Sequence, residues 1–327
     1  MAILVTGSAG FIGYHVSLAL LARGEQVIGV DNLNAYYDPA LKRARLERLE
    51  THAGFTFETH DVADRAAMSA LARRHRSALT GVVHLAAQAG VRHSLKAPFD
   101  YVHSNLEGHM VILELCRHEL PELAHLVYAS SSSVYGGNTK IPFAVEDRVD
   151  RPISLYAATK RANELMSHCY AHLYRIPQTG LRFFTVYGPW GRPDMAAYLF
   201  CDAIVHDRPI TLYNGGDMER DFTYVDDIVA GVVAALDRPP APDAAAPHAL
   251  YNLGNHRPVD LRRFLGILEE ALGRKAQIQL APLPPGDVVR TCADIEASTR
   301  DLGFEPKTPI EAGLPRFVAW YREYHGV

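Results

Sequence analysis

The chain has 327 residues, 48% hydrophobic and 21% charged, with a formal net charge of −4. That is enough material for a large core, in one extended domain or two unequal ones. The mild acidity and the lack of any basic run exclude a general attraction to nucleic acid or anionic membrane, so an anionic ligand must be held by particular arginines. Cys116, Cys169, Cys201 and Cys292 lie far apart with no CxxC, which argues against a disulfide framework or zinc site and fits a reducing cytosol. The first apolar run, residues 2–5, passes straight into a glycine turn without a basic leader, so it is expected to be a strand and not a signal peptide or membrane anchor. Strand-like runs follow at 27–30, 55–57, 82–85 and 126–128, with amphipathic stretches between them, and helices are expected at 98–119 and 155–174. This alternation predicts an α/β fold, a Rossmann-type doubly wound parallel sheet wrapped by helices. Another buried strand is expected at 181–184, then a glycine and proline loop at 187–193 and a helix from about 196 to 206. Beyond it, short strands (210–213, 250–252, 278–280), helices (225–236, 260–272, 310–324) and proline-rich joints describe a smaller C-terminal mixed α/β lobe. The expected division is 1–185 for the dinucleotide half and 186–327 mainly for the substrate lobe, with some segments returning to the first half.

Three features carry chemistry. The turn Gly7-Ser8-Ala9-Gly10-Phe11-Ile12-Gly13 follows the first strand and opens a helix, with GxxGxxG spacing. Backbone N–H groups and a helix N-terminus in that arrangement receive a pyrophosphate, so Gly7, Gly10, Phe11, Ile12 and Gly13 are assigned to a dinucleotide. The second strand ends at Asp31-Asn32, where a carboxylate accepts hydrogen bonds from a ribose 2′-hydroxyl and repels a 2′-phosphate. The expected cofactor is therefore NAD and not NADP. Asp61 and Val62 after the third strand are expected at the adenine, and Leu85, Ala86 and Ala87 after the fourth at the phosphate-ribose region. The third feature is Tyr156-Ala-Ala-Thr-Lys160, preceded by the serine run Ser130 to Ser133. On a helix an i,i+4 pair sets phenol and ammonium on one face, where the positive charge favours the phenolate and makes a base. The 16 histidines are scattered with no HExxH or other ligand spacing, so no metal is expected.

Together Thr6-Gly7-x-x-Gly10-x-x-Gly13, His84-Leu85-Ala86-Ala87, the serine run ending Val134-Tyr135-Gly136, and Tyr156-x-x-x-Lys160 resemble the extended short-chain dehydrogenase/reductase family over essentially the whole chain. Within it, the stretch Leu181 through Met195, then Tyr213-Asn214-Gly215-Gly216-Asp217-Met218 and Arg220-Asp221-Phe222-Thr223-Tyr224-Val225-Asp226-Asp227, is similar to the UDP-glucuronate 4-epimerases. The resemblance implies interconversion of UDP-glucuronate and UDP-galacturonate through oxidation at sugar carbon 4, rotation of the ketone and hydride return to its opposite face. It implies Tyr156 as base, Lys160 as the group that lowers the phenol pKa and holds the nicotinamide ribose, and Ser131 as the hydroxyl on the same sugar oxygen. Arg220 and Arg290 match diphosphate-binding arginines, Arg92, Arg192 and Tyr213 fall near the expected UDP-sugar, and Ser132, Ser133 and Thr185 offer neutral hydrogen bonds to a sugar carboxylate. A homodimer through helices 98–119 and 155–174 is a further implication. Two other reactions stay open: a neutral UDP-hexose 4-epimerase, where asparagine usually stands at the position of Thr185, and UDP-glucuronate decarboxylation, where an acid usually stands at that of Ser133. A nonenzymatic NAD-binding module is the third alternative.

Overall fold

The structure, a computed structural model, describes residues 1–327. Its first half runs β1 (Ala2–Thr6), α1 (Phe11–Ala22), β2 (Gln26–Asp31), α2 (Pro39–Glu50), β3 (Phe55–Thr59), α3 (Arg65–His75) and β4 (Leu79–His84). Then come α4 (Pro98–Tyr101), a π-helical stretch (Val102–Glu107), α5 (Gly108–His118), β5 (His125–Ser131), α6 (Leu155–Tyr174) and β6 (Gln178–Phe183). The second half carries β7 (Thr185–Tyr187), α7 (Ala196–Val205), β8 (Ile210–Tyr213), β9 (Glu219–Arg220), β10 (Phe222–Tyr224) and α8 (Val225–Leu236). It closes with β11 (His248–Leu253), β12 (Val259–Asp260), α9 (Leu261–Leu272), β13 (Ile278–Ala281), α10 (Glu296–Leu302) and α11 (Ile310–His325).

Seven strands form one sheet in the order β11-β6-β5-β4-β1-β2-β3, every pair parallel. Both faces are covered, which is why β1 is buried at every position and apolar up to its last residue, Thr6. Ile3 and Val5 join the apolar cluster of Val16 and Leu20 from α1 and Val232 from α8, whereas Leu4 joins that of Met68 from α3 and Ile112 from α5. The strand order reverses between β1 and β4, and an open parallel sheet leaves a crevice there beyond the carboxyl ends of its strands. The last sheet strand, β11, comes from the second half of the chain and pairs with β6.

The other strands form three two-stranded pairs, β10-β7, β12-β9 and β13-β8, beside the helices α7, α9 and α11. Helix α9 shows how locally this lobe is specified. Asp260 accepts hydrogen bonds from the amides of Arg262 and Arg263, Leu261, Phe264, Leu265 and Leu268 face the core, and Gly273 in the left-handed region ends the helix. Helix α6 spans 20 residues and is capped by Ser154, whose hydroxyl accepts from the Ala157 amide at 3.1 Å.

One expected helix is altered. The segment 98–119 is interrupted by the π-helical stretch, where Asn105 turns its side chain inward. Its amide donates to the Gln88 carbonyl (3.1 Å) and the Thr159 hydroxyl (3.0 Å), and its side-chain oxygen accepts from the Gln88 amide (2.8 Å). Asn163 donates to the Asn105 carbonyl at 2.7 Å. The wider winding thus ties the segment after β4 to α6, the helix that carries Tyr156 and Lys160. No helix is long and apolar enough to cross a membrane.

Candidate active site

A single cleft of about 1080 Å³ runs along the crevice and collects nearly all the residues singled out from the sequence. At one end the glycine turn joins β1 to α1. Gly7 has φ +73°, and a Cβ there would stand 2.8 Å from the Ala86 amide nitrogen; one on Gly13 would stand 2.0 Å from the Gly7 carbonyl oxygen. Side chains are therefore excluded from the cradle, and α1 begins without a side-chain cap, which leaves its first N–H groups for an anion. Asp31 ends β2 almost fully buried, and its carboxylate accepts from the Leu33 amide at 2.8 Å. These residues fit the diphosphate and ribose of a dinucleotide.

Lys42 was not foreseen. Its ammonium lies 3.5 Å from the Asp31 carboxylate and donates to the Asn34 side chain at 3.0 Å, with only 7% of the side chain exposed. The signal is faint because Lys42 sits on α2, where lysine is an ordinary helix residue. Phe11, Ile12, Asn32, Val62, Leu85, Ala86 and Ala87 line the cleft as expected, but Asp61 does not. Its carboxylate accepts instead from the Ala63 amide (2.9 Å) and the Asn32 side chain (3.0 Å), holding the turn before α3, while His60 and Val62 on either side face the cleft.

The reacting end is built by β5 and α6. Ser131, the last residue of β5, accepts from the Ser133 amide (3.2 Å) and donates to the Ser133 hydroxyl (3.0 Å), so the serine run folds into a tight turn. Ser130 is turned away: its hydroxyl donates to Glu164 at 2.6 Å. Glu164 in turn accepts two bonds from one edge of the Arg182 guanidinium, from Nε (2.8 Å) and Nη2 (2.9 Å), a pair with almost no solvent exposure that fixes α6 to β6. Tyr156 and Lys160 share one face of α6 as their spacing predicts.

The electrostatics differ from the expected lowering of the phenol by Lys160. Burial raises the Tyr156 phenol above its ordinary value; hydrogen bonding with Ser131 and the charge of Arg192 offset this only in part, and Asp194 adds to the rise. Burial also lowers the Lys160 ammonium to about 8, against the opposing charge of Glu164, and Lys160 donates to the Ala129 carbonyl at 2.8 Å. Both groups are thus pushed toward their neutral forms, and the guanidinium of Arg192 is the charge that favours the phenolate.

Arg192 is itself held by Asp194 through two bonds of 3.0 and 2.6 Å, and the Tyr36 hydroxyl donates to the same carboxylate at 2.9 Å. Farther along the cleft, Arg220 donates to Asp287 at 2.7 Å and Arg92 to the same carboxylate at 3.3 Å, while the Arg92 guanidinium lies 4.3 Å from the Tyr213 ring centre. Asp287 escaped notice because the loop that carries it is remote in sequence from both arginines. Arg290 does not line the cleft; it pairs with Glu219 at 2.6 Å on an exposed face, because the chain beside β9 directs it outward. Ser132, Ser133 and Thr185 do line the cleft.

A doubly wound parallel sheet, a glycine cradle at its switch point and a Ser, Tyr and Lys set beside it define a dinucleotide-dependent enzyme of the Rossmann class. The chain belongs to the NAD dependent epimerase/dehydratase family, whose model matches residues 3–254. UDP-glucuronate 4-epimerase 1 of Arabidopsis thaliana is 48% identical over 337 residues, covering 100% of this chain and 78% of that one. A probable UDP-glucuronate 4-epimerase of Rhizobium meliloti is 47% identical, covering 98% and 97% respectively. The crystal structure of UDP-glucuronic acid 4-epimerase from Bacillus cereus with UDP-glucuronic acid and NAD matches with a TM-score of 0.90 at 33% identity, covering 99% of this chain and all of that one.

Proposed function

We propose that this chain interconverts UDP-glucuronate and UDP-galacturonate as an NAD-dependent 4-epimerase. The observation that carries the reading is the convergence, in one cleft, of the glycine cradle, Ser131 with Tyr156 and Lys160, and the neutral hydroxyls of Ser132, Ser133 and Thr185. The similarity to enzymes of that name supports the choice of substrate.

NAD, when bound, supplies the hydride acceptor at sugar carbon 4 and returns the hydride. Tyr156 takes the proton from the 4-hydroxyl and later gives it back, with Ser131 on the same oxygen to orient it. Lys160 lies one turn beyond Tyr156 and donates toward the nicotinamide ribose in exchange for its contact with Ala129. Arg220 and Arg92 hold the diphosphate, releasing Asp287, so that the nucleotide stays fixed while the sugar turns. Ser132, Ser133 and Thr185 restrain the carboxylate without an ion pair that would stop rotation. The serine turn carries no acid of its own to drive dehydration.

The division into a cofactor half at 1–185 and a mainly substrate-binding half at 186–327 belongs to the same reading, supported by the small strand pairs beyond residue 185 and qualified by the return of β11 to the main sheet. So does a homodimer, supported by the exposure of Phe99, Val102, Leu165 and Leu173 on neighbouring helical segments. Four unpaired cysteines are consistent with a cytoplasmic location. The test is incubation of purified protein with UDP-glucuronate and no added NAD, followed by NMR. UDP-galacturonate supports the proposal. UDP-xylose or its 4-keto precursor as the main product overturns it in favour of decarboxylation, and absence of turnover, with NAD then supplied as well, returns the chain to a binding module.

A further inference from the structure

Arg45 is the largest side chain in the molecule with no exposed surface, and it has no acidic partner: no carboxylate oxygen lies within 4 Å of its guanidinium. A buried cation without a counter-charge is costly unless its position is used. The guanidinium is spread over two backbone segments that the sequence keeps far apart. One nitrogen donates to the Ala9 carbonyl (2.8 Å), inside the glycine turn, and to the Tyr37 hydroxyl (2.9 Å). The other donates to the Trp190 carbonyl at 2.6 Å, with a longer contact to that of Gly191 at 3.4 Å. Its Nε has no partner at all.

The second segment leads directly to Arg192. It is held in an unusual shape, since Trp190 has φ +62°, a left-handed conformation that a bulky residue adopts only under constraint. His15, on α1 just past the glycine turn, makes a 2.9 Å hydrogen bond to the Pro189 carbonyl. Burial lowers His15 to about 4, so the ring is neutral at physiological pH and acts as donor through this nitrogen. The Trp190 ring is wedged between Tyr14 of α1 and Trp320 and Tyr324 of α11. The carbonyls of three successive residues, 189 to 191, are therefore gripped by side chains of α1 and α2, the two helices that frame the cofactor cradle.

We propose that Arg45 is a positioning residue that ties the glycine turn at Ala9 to the loop before Arg192, fixing where the Arg192 guanidinium stands in the cleft that it lines together with Tyr156. His15 is the second tether of the same loop. The inference rests on the epimerase reading for its kinetic consequence, but not for its geometry. Five groups face Tyr156: Lys160 from its own helix, Ser131 from the end of β5, Tyr101 from α4 with its ring centre 6.1 Å away, and Arg192 and Asp194 from the tethered loop. Of these, only Arg192 and Asp194 depend on Arg45. The arginine has the larger effect on the phenol, so withdrawing the two together disfavours the phenolate.

The experiment compares wild type with Arg45→Met and Arg45→Lys. The Tyr156 phenolate is titrated by ultraviolet difference absorbance, with Tyr156→Phe as blank and with and without NAD, and the pH dependence of kcat on UDP-glucuronate is measured. In Arg45→Met the phenolate is expected to appear at higher pH than in wild type, and kcat on the limb that rises with pH to fall in proportion, since the reactive form is lost as the phenol pKa rises. KM is expected to stay within about twofold. Lysine, which reaches one segment but not both, should recover part of the shift. An unchanged titration and an unchanged pH profile, in folded protein with only a lowered melting temperature, overturn the proposal and leave Arg45 a scaffold residue. If Arg45→Met does not fold, His15→Phe removes the Pro189 tether alone. It should move the titration in the same direction by less, and no movement there also overturns the proposal. The titration needs no substrate, so a protein inactive on UDP-glucuronate that still shows the shift refutes the epimerase reading and not this one.

Discussion

Replacing Lys160 by methionine is expected to stabilise the cofactor-free protein while it removes activity. Lys160 is 4% exposed, and burial lowers its ammonium from its ordinary 10.5 to about 8. At about 1.4 kcal/mol per unit, keeping that charge in the fold at neutral pH costs roughly 3 kcal/mol. Methionine of similar length escapes this cost but leaves the Ala129 carbonyl without its 2.8 Å donor, a loss of about 1–2 kcal/mol. The net gain is about 1–2 kcal/mol, which for a chain of this size raises the melting temperature by about 2–3 °C. The pH dependence has a definite sign. Because the folded value lies below the unfolded one, the unfolded chain binds more protons between about pH 8 and 10.5, and wild-type stability rises through that window. The advantage of the variant should therefore be full at pH 7 and gone by about pH 10.5. Differential scanning calorimetry of both proteins, stripped of cofactor, at pH 7, 9 and 10.5 reads this directly. A variant less stable than wild type at pH 7, or a gap that does not narrow with pH, refutes the claim that a buried charge is held at Lys160 against its own stability.

Tyr156→Phe should lower kcat by about 10²–10⁴ while leaving the dissociation constant for the UDP-sugar within about twofold, measured by calorimetric titration. Asp31→Asn removes the carboxylate and frees Lys42, 3.5 Å away, for a 2′-phosphate. The ratio of NADP to NAD affinity should rise at least about tenfold in binding titrations. Arg182→Met strands the Glu164 carboxylate in the core, at a cost of about 3–5 kcal/mol or a fall of about 4–7 °C in melting temperature. In wild type, burial would raise Glu164, but the hydrogen bonds and charge of Arg182, with the hydrogen bonds of Ser130 and Arg161, outweigh it and lower its pKa, so that stabilisation is lost as pH falls. In the variant, burial is opposed only by the hydrogen bonds of Ser130 and Arg161, the Glu164 pKa rises relative to wild type and protonation relieves part of the strain, so the gap in melting temperature should narrow between pH 7.5 and 5.

The elements legible in the sequence are those whose signal is local. The central strands β1, β2, β4 and β5 of the main sheet are buried along nearly their whole length and read as largely apolar runs, and α6 and α9 carry their own caps at Ser154 and Asp260. Strands β7, β9, β10 and β12 are two or three residues long and exist only because another segment lies alongside, so no periodicity announces them. The same contrast divides the site. Gly7, Gly13, Asp31, Tyr156 and Lys160 stand at fixed positions within one turn or one helix, where spacing alone sets the geometry. Lys42, Asp287 and the inward Asn105 act through partners brought from elsewhere by the fold, and the outward turn of Arg290 is decided by the pairing of β9 with its neighbours.

This division bears on what the Tyr156 and Lys160 pair can do. Their spacing guarantees a shared face of α6, but how readily each gives or takes a proton is set by burial and by charges from other elements. Burial pushes phenol and ammonium alike toward neutrality, and the adjacent lysine does not reverse this for the tyrosine. The cation that acts on the phenol comes from the loop after β7, more than thirty residues away in sequence, and that loop is shaped by Arg45 and His15 from the first helices of the chain. The motif therefore names the residues that carry the proton, while the strength of the base is set by burial, by Ser131 at the end of β5 and then by the charges of the Arg192 loop.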